Sequence, residues 1–202
     1  NTFYVASPNG GIWKTLDGGK TYTSIAEDLP YQPVGIVLVD PMSPNTIYAT
    51  LGEKEGWWQY SMGVYKTTNG GASWTATELN WKLTDNKVIY ALEMNPENHL
   101  VLIAATSDGI YKTFNGGNSW TRTFTADSKD ICFHPANPNI VYIEANSNFY
   151  RSTDNGLTFS EITSGLTSGQ RGAIAVTPAN PNVVYFVQSD NSSGFKCVYR
   201  SA

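Results

Sequence analysis

An eight-residue pattern recurs four times along this chain: a hydroxyl residue, any residue, Asp or Asn, a small residue, Gly, any residue, a hydroxyl residue and an aromatic. The copies are Thr15–Tyr22, Thr67–Trp74, Thr113–Trp120 and Ser152–Phe159. Each follows an apolar-aromatic-basic run: Ile12-Trp13-Lys14, Val64-Tyr65-Lys66, Ile110-Tyr111-Lys112 and Phe149-Tyr150-Arg151. A fifth run, Val198-Tyr199-Arg200-Ser201, has no box after it in this sequence. The chemistry of the box is that of a hairpin. Asp17, Asn69, Asn115 and Asp154 can each bond backbone two residues on and tolerate a left-handed conformation. Gly19, Gly71, Gly117 and Gly156 supply positive φ without a Cβ clash. Asn-Gly or Asp-Gly between alternating apolar residues is the strongest short-range hairpin signal. The closing Tyr22, Trp74, Trp120 and Phe159 are expected to pack over the turn as a staple.

These units resemble the Asp-box, or BNR, repeats. That superfamily includes sialidases, sortilin-type receptors, family 74 glycoside hydrolases and secreted bacterial surface proteins. The resemblance covers nearly the whole chain and implies an all-β fold, a β-propeller of four-stranded antiparallel blades. It is weak for function, because the box is structural in families that share no chemistry.

The boxed Asp or Asn falls at positions 17, 69, 115 and 154, a spacing that suits four-stranded blades. With strands named A to D from the axis outward, residues 1–28 form a partial blade with B, C and D. Residues 29–80, 81–125 and 126–164 form complete blades, and 165–202 a partial blade with A, B and C. Strand A is expected at 34–39, 88–94, 130–134 and 173–177. Strand D is expected to start on the box itself, at 21–25, 73–77, 119–123 and 158–162. A second repeated turn fits this register: Asp40-Pro41-Met42-Ser43-Pro44-Asn45, His134-Pro135-Ala136-Asn137-Pro138-Asn139 and Thr177-Pro178-Ala179-Asn180-Pro181-Asn182 each separate A from B. No helical periodicity of useful length is present. The strand count leaves the ring open, so a partial array of a larger propeller is expected, with further blades or domains as partners.

Of the 202 residues, 41% are hydrophobic, enough for a sizeable core, and the net charge is −4. The absence of any Lys/Arg cluster argues against a nucleic-acid partner. No apolar run approaches a membrane span. Cys132 and Cys197 read as buried thiols, with a disulfide as the minority reading. His99 and His134 lie far apart, so neither a metal nor another cofactor is expected.

In the resembling fold the A–B turns and boxes share one face, and ligands usually sit on the other, among the B–C and D–A loops. The loop Gly52–Met62 is the outlier there, long and rich in aromatics. Trp57, Trp58 and Tyr60, with Tyr31 and Trp81 from D–A loops, are candidate ligand-binding residues. They suit sugar stacking or a protein hot spot, or else they plug the top of the blade. Glycosidases need two carboxyl groups about 5–10 Å apart. The carboxylates on the loop face are Glu27, Asp28, Glu53, Glu55, Asp85, Asp108, Asp127 and Asp130. By resemblance to family 74, Asp108 before Gly109 is the weak catalytic candidate, although Asp-Gly is also an ordinary turn pair. The matching residue of the first blade is Asn9, which cannot act as a base. Sialidase activity is disfavoured, since that chemistry uses three arginines and only Arg171 lies in a loop of this face. The expectation is a non-catalytic binding or scaffold module of a secreted or cell-surface protein, with a glycan or protein ligand. The alternatives are a family 74 glycoside hydrolase acting on a β-glucan such as xyloglucan, and a protein assembly or sorting factor.

Overall fold

A computed structural model describes residues 1–54, 60–167 and 169–201. The first sheet holds β1 (Phe3–Ser7), β2 (Gly11–Thr15) and β3 (Thr23–Ser24). The second holds β4 (Val34–Val39), β5 (Ile47–Leu51), β6 (Gly63–Thr67) and β7 (Thr75–Asn80). The third holds β8 (Ile89–Met94), β9 (Leu102–Thr106), β10 (Gly109–Thr113) and β11 (Thr121–Phe124). The fourth holds β12 (Ser128–Phe133), β13 (Val141–Ala145), β14 (Asn148–Ser152) and β15 (Ser160–Glu161). The fifth holds β16 (Gly172–Val176), β17 (Val184–Ser189) and β18 (Phe195–Arg200). All pairings between these strands are antiparallel. A three-residue 3-10 turn, Leu83–Asp85, joins the second and third sheets. The architecture is a partial β-propeller. Strands β4, β8, β12 and β16 are the innermost of their blades and neighbour one another in turn.

The core lies in the seams between blades. Ile12, Val34, Ile47, Leu51 and Trp74 fill the first seam. Tyr48, Val64, Leu79, Ile89 and Leu102 fill the second. Ile103, Ile110, Ile131, Val141 and Ile143 fill the third, and Tyr142, Phe149, Val184 and Phe186 the fourth. Strand B of each complete blade is therefore buried on both sides, which is why all five residues of β5, β9 and β13 are inaccessible. These strands are mostly apolar because both faces meet a neighbour, with Thr50, Thr106 and Glu144 as buried polar exceptions.

The boxes close differently from the simple turn expected. Asp17 does not bond two residues on. Its Oδ1 accepts the backbone N–H groups of Lys20 (2.9 Å) and Thr21 (3.0 Å), and its Oδ2 accepts the Thr21 hydroxyl (2.7 Å). The bond at a distance of two runs the other way, from the Asp17 N–H to the Thr15 hydroxyl. Asp154 repeats the arrangement with Leu157 and Thr158. Asn69 and Asn115 keep it by donating Nδ2–H to Ser73 and Ser119. The last residues of the box are spent on this closure. Strand D consequently starts two residues later than expected, at Thr23, Thr75, Thr121 and Ser160. The aromatic reaches across the seam as well. The Trp74 indole N–H donates to the Ile25 carbonyl of the preceding blade at 2.8 Å, and that of Trp120 to the Thr77 hydroxyl at 3.3 Å. In the fourth blade, strand A begins at Ser128 rather than 130, with a register shift between Ser128 and Asp130.

Candidate functional site

The start of each strand A lies opposite the end of its strand B: Val34 pairs with Leu51, Ile89 with Thr106, Ser128 with Ala145 and Gly172 with Gln188. The D–A and B–C loops thus share one end of the barrel-like stack, and the boxes lie at the other. Asp17, Asn69, Asn115 and Asp154 are accordingly remote from the loop face.

On that face the inner strands surround a cavity of about 390 Å³ at the propeller axis. Ile36 comes from β4, Tyr90 and Glu93 from β8, Lys129 and Asp130 from β12, and Ala173 from β16, while Lys54 and Arg171 reach in from loops. Burial, and then the negative charge of Asp130, push the Glu93 carboxyl up to about 7. Burial also raises Asp130, against the opposing pull of two backbone donors and the charges of Lys54 and Arg171. Those donors are the N–H groups of Ile174 at 2.7 Å and Ile131 at 2.9 Å, so Asp130 ties the fourth blade to the fifth. Lys129 donates to the Tyr90 hydroxyl at 3.2 Å, lies 4.2 Å from the ring centroid, and pairs with Asp127 at 3.1 Å. Burial would lower its ammonium, but these bonds outweigh it and raise the group. Cys132, half-buried, is pushed up by burial and by Asp130 and Glu93, so its thiol is unreactive. Cys132 and Cys197 are both free.

Asp108 lies outside the lining of that cavity, at the turn before β10. It accepts bonds from Lys87 Nζ (2.7 Å), the Tyr111 hydroxyl (2.5 Å) and Arg122 (2.9 Å). Burial works against ionisation, but these partners win and hold its carboxyl below the usual range. It is the ionised hub of a charge cluster, unsuited to donate a proton. Gly109 beside it is required for another reason: a Cβ there would sit 2.0 Å from the Phe124 carbonyl, at φ +124°. Trp81 packs edge-on against Tyr111, 6.0 Å between centroids, with Lys87 5.2 Å from its ring. The Trp81 N–H donates to the Met62 carbonyl, so Trp81 adjoins the segment that carries Tyr60, itself 39% exposed. Tyr31 is half-buried against the first seam. Trp57 and Trp58 lie outside the described residues. Among the other loop carboxylates, Asp28 accepts the Trp74 N–H at 2.8 Å and Asp85 the Lys82 N–H at 3.0 Å, both structural roles. Among the described residues no group of three or more His, Cys, Asp or Glu side chains could hold a metal ion.

Sequence reasoning placed Asp130 on this face but missed Tyr90, Glu93 and Lys129. The available signal was a carboxylate inside an otherwise apolar strand A, Val88-Ile89-Tyr90-Ala91-Leu92-Glu93-Met94.

No protein-family profile matches the chain. A xyloglucanase of Hypocrea jecorina is 26% identical over 175 residues, covering 82% of this chain and 17% of that protein. The crystal structure of an ancestral GH74 enzyme matches with a TM-score of 0.76 and 25% identity, over 93% of this chain and 26% of the other. The extracellular domain of a one-component system from B. thetaiotaomicron matches with a TM-score of 0.71 and 13% identity, over 99% of this chain and 26% of the other. The chain thus spans about a sixth of the length of the curated relative. No described helix is long and apolar enough to cross a membrane. By its blade topology and these likenesses, the chain is an array of β-propeller blades similar to part of the GH74 xyloglucanase fold.

Proposed function

We propose that this chain is a non-catalytic binding module whose loop face takes a hydroxyl-rich glycan, as part of a longer extracellular protein. The observation that carries the reading is the axial cavity, where Glu93, Asp130, Lys129 and Tyr90 converge. Carboxylates and ammonium groups bond sugar hydroxyls from both sides, and the Tyr90 ring offers a stacking face. The extracellular placement is supported by likeness to an extracellular domain, and the longer chain by the share of the relatives that is covered. Calorimetric titration with xyloglucan and cello-oligosaccharides tests it. Saturable binding is expected, weakened about 10- to 100-fold by Tyr90→Ala with an unchanged melting temperature. An absence of binding by the wild type to every glucan tried refutes the reading.

A second reading, glycoside hydrolysis, is favoured by the sequence likeness to a xyloglucanase. Glu93, its carboxyl pushed up to about 7 by burial and by the charge of Asp130, would be the acid, and Asp130 the base. Release of reducing ends from xyloglucan, abolished by Glu93→Gln, would replace the first reading with this one.

A further inference from the structure

Asn is followed by Gly at four places in this chain: Asn9-Gly10, Asn69-Gly70, Asn115-Gly116 and Asn155-Gly156. Such a pair can lose its side-chain amide without an enzyme. The Gly nitrogen gives up its proton to base and attacks the Asn Cγ. An N–Cγ bond forms, and the side-chain nitrogen leaves as ammonia. Water then opens the resulting succinimide at either carbonyl, leaving aspartate or isoaspartate. Glycine favours the attack because no Cβ obstructs the approach of its nitrogen. Two freedoms are needed: the Asn side chain must turn onto the next peptide, and the N–H of that peptide must leave its hydrogen bond.

The boxes withhold both. Asn69 Oδ1 accepts the Thr67 hydroxyl at 2.7 Å and the Ser73 N–H at 3.0 Å, and its Nδ2 donates to the Ser73 hydroxyl at 2.8 Å. The Gly70 N–H is bonded to the Asn45 carbonyl at 2.9 Å. Asn115 is held by Thr113 and Ser119 in the same way, and the Gly116 N–H is bonded to the Leu100 carbonyl at 2.8 Å. In the fourth box the Gly156 N–H donates to the Ser152 hydroxyl at 2.8 Å. The Asn155 backbone is fixed at both ends there, its N–H on the Asn139 carbonyl at 2.7 Å and its own carbonyl on Lys112. The turn between β1 and β2 differs. The Gly10 N–H faces the Ser7 carbonyl at 3.4 Å, beyond the ordinary range of about 2.7–3.2 Å for such a bond. The firm anchor of this turn is the other side of Gly10, whose carbonyl accepts the Trp13 indole N–H at 2.8 Å. The attacking amide at Asn9 is therefore the least restrained of the four.

We propose that Asn9 is the site of spontaneous deamidation among the Asn-Gly pairs of the folded chain, and that the boxes shield the other three. The product adds a carboxylate to the loop face, and isoaspartate also inserts its Cβ into the main chain of the β1–β2 turn. Incubation of the purified chain in mildly alkaline buffer tests it, once folded and once in concentrated urea, followed by denaturation, digestion with trypsin and mass mapping. Lys14, Lys66, Lys112 and Arg151 divide the four pairs among separate peptides. In the folded chain Asn9 is expected to convert about tenfold or more ahead of each box pair, because those must first open locally. In urea the four rates should draw together. Asn9→Gln should remove the early acidic species on ion exchange, together with the isoaspartate that a methyltransferase assay detects in the first-blade peptide. A folded chain in which any box pair converts as fast as Asn9 overturns the proposal. So does an Asn9 that stays intact when folded, or a lead for Asn9 that is equally large in urea.

Discussion

The boxed acids show how one side chain organises a turn. Asp154 gathers two backbone N–H groups and two hydroxyls, and these bonds favour its ionised form. The Thr158 hydroxyl, then the Thr158 N–H, bring its carboxyl down to about 2 from an ordinary 3.8. The folded state thus binds its proton less readily than the unfolded chain. Its stabilisation is complete above about pH 4 and is lost as pH falls toward 2. Asn69 and Asn115 do the same work without charge, so Asp154→Asn should preserve the geometry. The variant is expected to melt below the wild type at pH 6 and to converge with it near pH 2. Thermal melts at the two pH values measure this. A gap that persists unchanged into acid would show that charge plays no part. The group is largely exposed, so solvent screening keeps the effect small.

At the level of the element, the repeat was legible and its closure was not. The alternation of apolar residues around each box specifies strands C and D, and their order follows from repetition. What the pattern cannot reveal is that the last box residues bond inward to the Asp or Asn, which delays strand D, and that the aromatic reaches sideways. Trp74 is 7% exposed, in the first seam rather than over its own turn. It joins blades through its indole N–H to Ile25 and its backbone N–H to Asp28. Trp74→Ala should therefore cost about 3–5 kcal/mol, from lost burial plus an unfilled space. Trp120, half-buried, makes a longer bond to Thr77, and the same change there should cost less. Urea unfolding of the two variants compares them. Equal losses would mean that the aromatics act within their turns, as the sequence alone implies.

For the whole molecule, the sequence discloses the array of blades but not which strand A residues face the axis. That depends on how far each sheet is rotated about its own strands, a product of seam packing rather than of local pattern. Glu93 and Tyr90 emerge only once β8 is set beside β12. The same assembly buries Glu144 completely in β13, at the seam of the fourth and fifth blades. Its Oε1 accepts the Ser147 N–H at 2.9 Å, and its Oε2 has no partner among the described residues. Burial pushes both Glu93 and Glu144 up to about 7 from an ordinary 4.5. For an acid raised in this way, the folded state holds more protons than the unfolded chain between those two values. Stability must then fall as pH rises from about 4.5 to about 7 and level off above, opposite in sign to the boxed acids, which act below pH 4. Each group contributes up to about 1.4 kcal/mol per pH unit within that window. The melting temperature of the wild type is expected to drop between pH 5 and pH 7.5. Glu144→Gln keeps the shape, removes the charge and adds an N–H donor beside the Oε2 position. It should flatten about half of that drop and melt above the wild type at pH 7.5, while differing little from it at pH 5. A wild-type melting temperature that is level or rising over this range would mean that both carboxyls ionise freely inside the folded array, through water admitted along the axis and the last seam.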